Sequence, residues 1–216
     1  MKYLKEFSTQ AAYEAAESSL ILPNVSLITE TNKVEYNPYD PYGGHAYVDL
    51  GLPSGTKWAT MNVGASSVAD YGNYYQYGKG SAQYTTTSGQ SNYSGTENPL
   101  ATSVDTAAQE WGGSWHMPTQ AQLNELTANT TYQWVTDYNG SGINGGTFTA
   151  NGQTLFIPAA GEYINGSQSE VGSGGVVWSS TPKGENAALF LYVGDGRNMV
   201  TNIERRYGCS VRPVIG

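Results

Sequence analysis

The side chains that most often carry enzymatic chemistry are scarce in this sequence. Its two histidines, His45 and His116, are separated by residues 46 to 115 and stand in no HxH, HExxH or histidine–carboxylate spacing. Structural roles are therefore favoured over a metal site or a catalytic triad. The single cysteine, Cys209, excludes an internal disulfide and a cysteine-based zinc cluster, and is most simply a small buried apolar residue. The sequence predicts no enzyme activity, no metal site and no cofactor.

Two further patterns could serve catalysis, but both have simpler explanations. The glycine-rich stretches GSGINGG (140–146) and GSGG (172–175) lack the Lys-Ser/Thr pair or the strand-to-helix context of a phosphate-binding loop, so we expect them to be loops. Acidic pairs such as Asp195 and Glu204 could act in general acid–base catalysis. Nothing in the sequence indicates a perturbed pKa, and solvated surface carboxylates are the expected case.

The residue pattern near the C-terminus is typical of binding rather than catalysis. The dipeptide Asp195-Gly196 predicts a β-hairpin turn between two alternating segments. Alternation in the first strand places three aliphatic side chains on one face and Phe190 and Tyr192 on the other. In the second strand, from Arg197 to about position 203, alternation sets Asn198, Val200 and Asn202 against Met199 and Thr201. We expect the ring, guanidinium and amide groups of this segment to converge at one end of a sheet.

Such a surface has two interpretations. Tyr and Arg are enriched at binding hot spots because each gives a large contact area and a polar tip at modest entropic cost, and Asn and Ser adapt their hydrogen bonds to a partner. The alternative is a solvated, tyrosine-rich hairpin without a ligand. With 17 tyrosines, 5 tryptophans and only 13% charged residues, the polar surface consists mainly of rings, hydroxyls and amides in either case.

Length and charge limit the possible partners. A chain of 216 residues predicts one domain, with or without an appendage. The formal net charge of -8 argues against nucleic acids and anionic membranes, which require clustered cations. No apolar run approaches the roughly 18 residues that span a bilayer, so we expect no membrane insertion. The N-terminus lacks the apolar core of a signal peptide, so we expect no export by the general secretory route.

The elements that must position the hairpin are short strands and two helices. Turn dipeptides between aromatic and β-branched segments predict antiparallel hairpins. These dipeptides are Asn139-Gly140, Asn144-Gly145, Asn151-Gly152, Asn165-Gly166 and Asp195-Gly196. One helix is predicted from Ser103 to Trp111, ended by Gly112, and a second from Thr119 to about Ala128, where Thr119 and Gln122 form a capping box. The predicted class is α+β.

The N-terminal 38 residues differ from the rest of the chain. An alanine-rich helical stretch, Thr9 to Ser18, is followed by the strand-like segments LILPNVSLITE and KVEYNP. The following YDPYGG (39–44) combines Pro, Gly and Tyr as connecting turns do. We therefore expect a small N-terminal appendage, residues 1–38, and a main domain, residues 39–216.

Six ordered sequence blocks in the main domain resemble a large paralogous domain family of Bacteroidetes and their phages. The blocks are YVDLGLPSGTKWATMNVGA (47–65), DYGNYYQYG (70–78), WGGSWHMPTQAQLNEL (111–126), LFIPAAG (155–161), VWSSTP (177–182) and YGCSVRPV (207–214). That family resembles the C-type lectin-like fold in the variant shared with formylglycine-generating enzymes. It also resembles the variable proteins of diversity-generating retroelements, whose last stretch before a terminal SVRPV-like strand is rewritten to create new ligand-binding surfaces. Residues 22–38 resemble a short N-terminal segment of Bacteroides phage structural proteins.

The resemblance implies a role for each part of the chain. Residues 1–38 would be a virion-attachment or oligomerisation segment, and 39–216 a C-type lectin-like ligand-binding domain. The invariant scaffold would consist of Trp111, Trp115, Met117, Pro118, Trp178 and the strand 211–214. The ligand-binding residues would be Asn186, Phe190, Tyr192, Asp195, Arg197, Asn198, Asn202, Arg206 and Tyr207. If adenine-directed rewriting acts on Asn-type template codons, four positions would be fixed or would come from other template codons, and these are Lys183, Glu185, Met199 and Glu204.

Two departures from these families restrict what carries over. Calcium-dependent lectins have a Glu-Pro-Asn or Gln-Pro-Asp loop and a Trp-Asn-Asp strand, whereas this chain has Glu97-Asn98-Pro99 in a different order. Calcium-dependent sugar recognition is therefore not expected. Formylglycine-generating enzymes use a pair of cysteines on copper, whereas Cys209 stands alone, so oxidase chemistry is not expected.

These observations together predict a receptor-binding protein on a phage tail or virion surface, which recognises a bacterial surface protein or glycan. A homotrimer would suit a tail-tip position. Three alternatives stay open: a bacterial cell-surface or pilus-tip adhesin that uses the same face, a structural virion decoration protein, and an enzyme related to the formylglycine-generating group.

Overall fold

The structure is a computed structural model that describes residues 25–28, 33–36, 44–81, 83–85 and 93–216. The helix predicted from Thr9 to Ser18 lies outside these residues. The strands are β1 (Val25–Ile28), β2 (Lys33–Tyr36), β3 (Tyr47–Val48), β4 (Lys57–Ala59), β5 (Tyr75–Gln76), β6 (Thr131–Val135), β7 (Gly145–Ala150), β8 (Gln153–Pro158), β9 (Glu162–Ile164), β10 (Ser167–Ser169), β11 (Gly174–Lys183), β12 (Ala187–Gly194), β13 (Arg197–Glu204), β14 (Gly208–Cys209) and β15 (Val214–Ile215). The helices are α1 (Thr106–Trp111) and α2 (Gln120–Asn129), with a 3-10 turn at Tyr138–Gly140.

The strands of the described residues form five antiparallel sheets. Their strand orders are β1-β2, β10-β9-β14-β5, β11-β12-β13, β15-β4-β3 and β6-β7-β8. The pairing of β1 with β2 confirms the strand character predicted for this part of the N-terminal segment. A mainly antiparallel fold with two helices in the described residues confirms the predicted α+β class.

Three of the predicted turn dipeptides join neighbouring strands. Asn151-Gly152 joins β7 to β8, Asn165-Gly166 joins β9 to β10, and Asp195-Gly196 joins β12 to β13. Asn139-Gly140 lies in the 3-10 turn between β6 and β7.

The turn predicted at Asn144-Gly145 is wrong. Gly145 begins β7, and a Cβ there would lie 2.3 Å from the carbonyl oxygen of Ile157, so glycine permits a close approach of two strands. The Asn144 side chain donates to the carbonyl of Gly172 (2.9 Å) and accepts from the Asp137 amide (3.1 Å). It links loops and does not form a turn.

Side-chain caps fix where both helices begin. Helix α1 starts three residues later than predicted because the Asp105 carboxylate accepts from the Ala108 amide (3.0 Å), and it ends at Gly112 with a φ of 66° as predicted. The predicted capping box of α2 is confirmed, since Thr119 and Gln122 each accept from the other's backbone amide. In the part of the chain that the structure describes, no helix is both long and apolar enough to cross a membrane.

The sheet β11-β12-β13 is packed on both faces. On one face, aliphatic residues such as Leu191 join a cluster with Trp58, Phe148 and the two inward leucines of α2. On the other face, Phe190 and Trp178 join a cluster that contains Tyr75, Tyr77 and Cys209. The predicted alternation along β12 and the predicted burial of Cys209 are confirmed. Of the predicted scaffold, Trp115, Met117, Pro118, Trp178 and 211–214 are buried, and Trp111 is half-buried.

A fully buried arginine holds the loops at one end of this sheet. The Arg205 guanidinium donates to four carbonyl oxygens, those of Ala187, Tyr93, Gly95 and Gly184, at 2.7 to 2.9 Å. It also lies 5.1 Å from the Tyr77 ring centroid. One side chain thus joins the segment 93–95 to the connection between β11 and β12.

We expect Arg205→Ala to lower the free energy of unfolding by at least about 3 kcal/mol, because it leaves four buried carbonyls without donors and each costs about 1–3 kcal/mol. Arg206→Ala is the matched control. Its side chain is 33% exposed and forms a surface ion pair with Glu204, so the expected loss is below about 1 kcal/mol. Urea unfolding monitored by tryptophan fluorescence measures both, and similar losses for the two variants would contradict the role of Arg205.

Candidate functional site

The antiparallel register places the predicted ligand-binding residues at two ends of the sheet. Gly194 pairs with Arg197 at the turn, and Ala187 pairs with Glu204 seven residues further along β13. At a rise of about 3.3 Å per residue the two ends are about 23 Å apart. Tyr192, Asp195 and Arg197 lie at the turn end, whereas Asn186, Arg206 and Tyr207 lie at the other end. The predicted convergence of these residues at one end is wrong, because a hairpin separates the start of its first strand from the turn.

The two faces of the hairpin divide the predicted set again. Directly paired residues share a face, so Asn198, opposite Val193, and Asn202, opposite Leu189, lie on the face that α2 covers. Tyr192 and Arg197 belong to the other face. Phe190 is also on that other face but is 94% buried in the core, so its ring is not available to a ligand. Asn198, Asn202 and Phe190 therefore do not form one binding face with Tyr192 and Arg197, which corrects the sequence prediction.

The Tyr192 ring is held flat against the sheet at the turn end. A Cβ on Gly194 would lie 2.6 Å from the ring, and one on Gly174, the residue paired with Gly194, would lie 2.8 Å from the Tyr192 hydroxyl. Two paired glycines thus leave the space that the ring occupies. The Arg197 guanidinium stacks on the ring, 4.8 Å from its centroid. On the opposite side of the sheet the Tyr132 hydroxyl donates to the Gly194 carbonyl (2.7 Å) and fixes the strand end.

One exposed apolar side chain shares the face of this tyrosine, and another belongs to the adjoining loop. In the described residues, the large hydrophobic side chains that stand exposed are Met199 (45%) and Val171 (43%). Met199 pairs with Tyr192 and shares its face. Val171 follows Glu170, whose Oε2 approaches the same Gly174 position as the Tyr192 hydroxyl. We call Glu170, Val171, Tyr192, Asp195, Arg197 and Met199 the turn-end surface.

Charges of both signs meet at the turn-end surface. The Tyr192 side chain, with a smaller contribution from Glu170, raises the pKa of Arg197, so this arginine stays cationic. The sequence prediction does not include Met199 among the ligand-binding residues, because the resemblance to retroelement-diversified proteins implies no rewriting of this position from an Asn-type codon. Glu170 and Val171 come from the loop after β10, and no local sequence signal connects that loop to the hairpin. The Gly174 amide donates to the Glu170 carbonyl (2.8 Å), and Gly174 pairs with Gly194, so these two contacts bring the loop to the hairpin.

A buried acid lies next to the turn-end surface. Glu162 in β9 is 6% exposed, and its Oε2 has no hydrogen-bond partner in the described part of the chain. Burial, with a further contribution from the charge of Glu170, raises the pKa of Glu162 to about 7. A local signal for this residue exists, since strand alternation in GEYI places Glu162 and Tyr163 on opposite faces.

The opposite end of the hairpin is occupied by contacts within the chain. Arg206 Nε lies 2.5 Å from Glu204 Oε2, and the Arg206 guanidinium lies 5.6 Å from the Tyr207 ring centroid. The pKa of Arg206 is raised by its hydrogen bond to Glu204. Gln76 donates to the Arg206 carbonyl (2.7 Å). This end is therefore less suited to bind a partner than the turn-end surface.

Both histidines make structural contacts. His45 stacks on Trp111 with ring centroids 3.7 Å apart and an interplanar angle of 5°. His116 Nδ1 lies 3.2 Å from the carbonyl of Ser114. Burial raises the pKa of the Cys209 thiol well above its ordinary value. Among the residues with described positions, no group of three or more His, Cys, Asp or Glu side chains is arranged to hold a metal ion.

Comparisons with family models, with curated proteins and with solved structures found no match to this chain.

We expect the free energy of unfolding to fall as the pH rises from about 4.5 to about 7, because the folded protein keeps the Glu162 proton in this range while the unfolded chain releases it. This one group contributes at most about 1.4 kcal/mol per pH unit. Glu162→Gln should reduce the fall, while Glu185→Gln, at an exposed position, should leave it unchanged. Urea unfolding between about pH 5 and pH 8 measures the effect. Identical pH profiles for wild type and Glu162→Gln would contradict it.

Proposed function

We propose that the protein is a non-enzymatic receptor-binding protein, carried on a phage tail or virion surface, whose C-type lectin-like domain presents the turn-end surface to a bacterial surface protein or glycan. The observation that carries this proposal is the position of Met199 and Val171. Exposed Met199 is the cross-strand partner of Tyr192, whose ring Arg197 stacks on, and exposed Val171 follows Glu170, whose Oε2 approaches the same Gly174 position as the Tyr192 hydroxyl. Aromatic, Arg and Met side chains in one patch are the composition enriched at protein interfaces.

The rigidity of this surface supports a binding function. Tyr192 is confined by Gly174, Gly194 and the Arg197 guanidinium, so it loses little conformational freedom when a partner contacts it. The hairpin is joined to a sheet with two packed faces, which limits its movement further. Binding surfaces often consist of aromatic rings, which have few rotatable bonds and therefore lose little conformational entropy when a partner contacts them.

Copies on one particle would strengthen a weak contact. In a homotrimer at a tail tip, or with many copies on a virion, the first contact holds the other binding sites close to the cell surface at a high effective concentration. The overall affinity then rises by orders of magnitude. The location on a phage particle is inferred from the resemblance of residues 22–38 and of the six blocks. A bacterial adhesin with the same domain would use the same surface, whereas a decoration protein would need no binding surface.

The test compares two triple variants in the adsorption of purified, fluorescently labelled protein to cells of a panel of Bacteroidetes strains. We expect Tyr192→Ala/Arg197→Ala/Met199→Ala to weaken adsorption at least about tenfold, since each hot-spot side chain contributes more than about 1 kcal/mol. Circular dichroism melting checks the fold of each variant.

The matched control carries Asn186→Ala, Arg206→Ala and Tyr207→Ala at the other end of the hairpin, and it should adsorb like wild type. Equal adsorption of wild type and the turn-end variant, as a structural decoration protein predicts, would overturn the proposal. Loss confined to the control set would place the binding surface at the other end and would also contradict it.

A further inference from the structure

In the described part of the chain, the central sheet β11-β12-β13 has one closed edge and one open edge. At the closed edge, β11 forms bridges to Gly161 and Ser210. Its Ser180 carbonyl also accepts from the Leu100 amide (3.0 Å). The open edge is β13, which pairs with β12 on one side and with no strand of the described residues on the other. None of its eight residues is buried, so the sheet can be extended along this strand.

The hydrogen-bond pattern identifies the backbone groups of β13 that point outward. The Arg205 amide donates to the Asn186 carbonyl (2.9 Å), so these two residues form a hydrogen-bonded pair of the antiparallel ladder. Hydrogen-bonded and non-hydrogen-bonded pairs alternate along such a ladder. The amides and carbonyls of Asn198, Val200 and Asn202 therefore point away from β12. No hydrogen bond between described residues uses these six groups.

This edge lacks the features that keep exposed strands from pairing. Natural edge strands are usually very short, interrupted by a bulge, or marked by proline or lysine. Strand β13 is eight residues long, its register with β12 is continuous over its whole length, and its sequence RNMVTNIE contains neither proline nor lysine. Its two charged residues, Arg197 and Glu204, stand at its ends. The strand is therefore a template on which another strand can form.

The strand that matches this row of outward groups is β13 of a second copy. Two identical edges meet on a twofold axis perpendicular to the sheet, which makes the two strands antiparallel. With Val200 on the axis, Val200 pairs with Val200 and Asn198 pairs with Asn202, so all six outward groups of each copy are used. An axis one position further along would pair Asn198 with Glu204, whose carbonyl already accepts from the Tyr207 amide (3.1 Å).

The side chains and charges are compatible with this register. Exposed Met199 lies opposite Thr201 of the second copy, and Arg197 lies opposite Ile203, so no two like charges face each other. The antiparallel direction also brings the Arg197 end of each strand next to the Glu204 end of the other. Opposite charges thus meet at both ends of the paired strands.

We propose that two copies of this chain pair along β13, antiparallel and with Val200 on the twofold axis, to form one continuous six-stranded sheet. Pairing extends the sheet in its own plane, so it covers neither face and leaves the turn-end surfaces of both copies accessible on the same side. The two turns then lie about 30 Å apart. This spacing suits attachment of one dimer to a surface at two points.

Sedimentation equilibrium of the full chain tests the pairing without any receptor. We expect a monomer–dimer equilibrium with a dissociation constant between about 1 μM and about 1 mM, because the interface is small. Asn202→Pro should weaken it at least about tenfold, since each copy loses one outward amide, and an edge strand accommodates proline where the amide faces outward. The matched control, Asn202→Ala, keeps the amide and should dimerise like wild type. Circular dichroism melting checks the fold of both variants.

Cysteine crosslinking tests the register. Met199 and Thr201 of the second copy lie directly opposite in a non-hydrogen-bonded pair, at a Cα–Cα distance of about 4.5 Å that a disulfide spans. We expect a mixture of the Met199→Cys and Thr201→Cys proteins, one of them tagged, to form mixed disulfide-linked dimers on a non-reducing gel. Each variant alone is the control, because like positions are about 7–8 Å apart on the diagonal. Cys209 gives no background because it is fully buried.

Four results would overturn the proposal: a monomer over the whole concentration range, a trimer, equal self-association of Asn202→Pro and wild type, or crosslinking of one cysteine variant with itself as efficiently as with the other. A monomer would leave the edge to a strand of another protein. A monomer whose Val200 amide is protected from hydrogen exchange would assign the edge to a further segment of this chain. None of these measurements uses cells, so the receptor-binding proposal stands or fails separately.

Discussion

The central sheet β11-β12-β13 is buried on both faces, and this constraint decides where a partner can reach the domain. Each face packs against a cluster of large apolar side chains, so an inward residue on either face belongs to the core. What stays accessible is the turn, the edge strand and the loops that neighbouring segments bring against them. The turn-end surface exists because paired glycines stop the packing there and leave space for one ring.

Features set by local sequence could be predicted, and features set by long-range pairing could not. The capping box at Thr119, the Asp195-Gly196 turn and the alternation along β12 each depend on a few consecutive residues, so the sequence predicts them. The same alternation does not reveal that both faces of β12 are covered, so the sequence predicts Phe190 as a contact residue although its ring is buried in the core. Glu170 approaches Tyr192 because the Gly174 amide donates to the Glu170 carbonyl and Gly174 pairs with Gly194 across the sheet, and no periodicity within either segment indicates that pairing.

Buried charged side chains compensate for the short strands of this fold. Arg205 donates to four carbonyls, and Arg212 donates to Asn62 Oδ1 (2.8 Å) and to the Ala59 carbonyl (3.0 Å). Complete burial lowers the pKa of Arg212 to about 9. Asp105 joins α1 to the segment at Met117 in the same way, with a carboxylate instead of a guanidinium. The loops are thus tied to the core by side chains where strand ladders are too short to do so.

The enclosed thiol of Cys209 has a practical consequence for attaching reporter groups. Thiol reagents react with the accessible thiolate, and Cys209 is both fully enclosed and held in its protonated form. Because the sequence contains no other cysteine, the folded protein behaves towards maleimides as if it had none. A cysteine introduced at a solvent-facing loop position would then be the one group that takes up a fluorophore or a crosslinker. The molecule is in this sense ready for site-specific conjugation without removal of its natural cysteine.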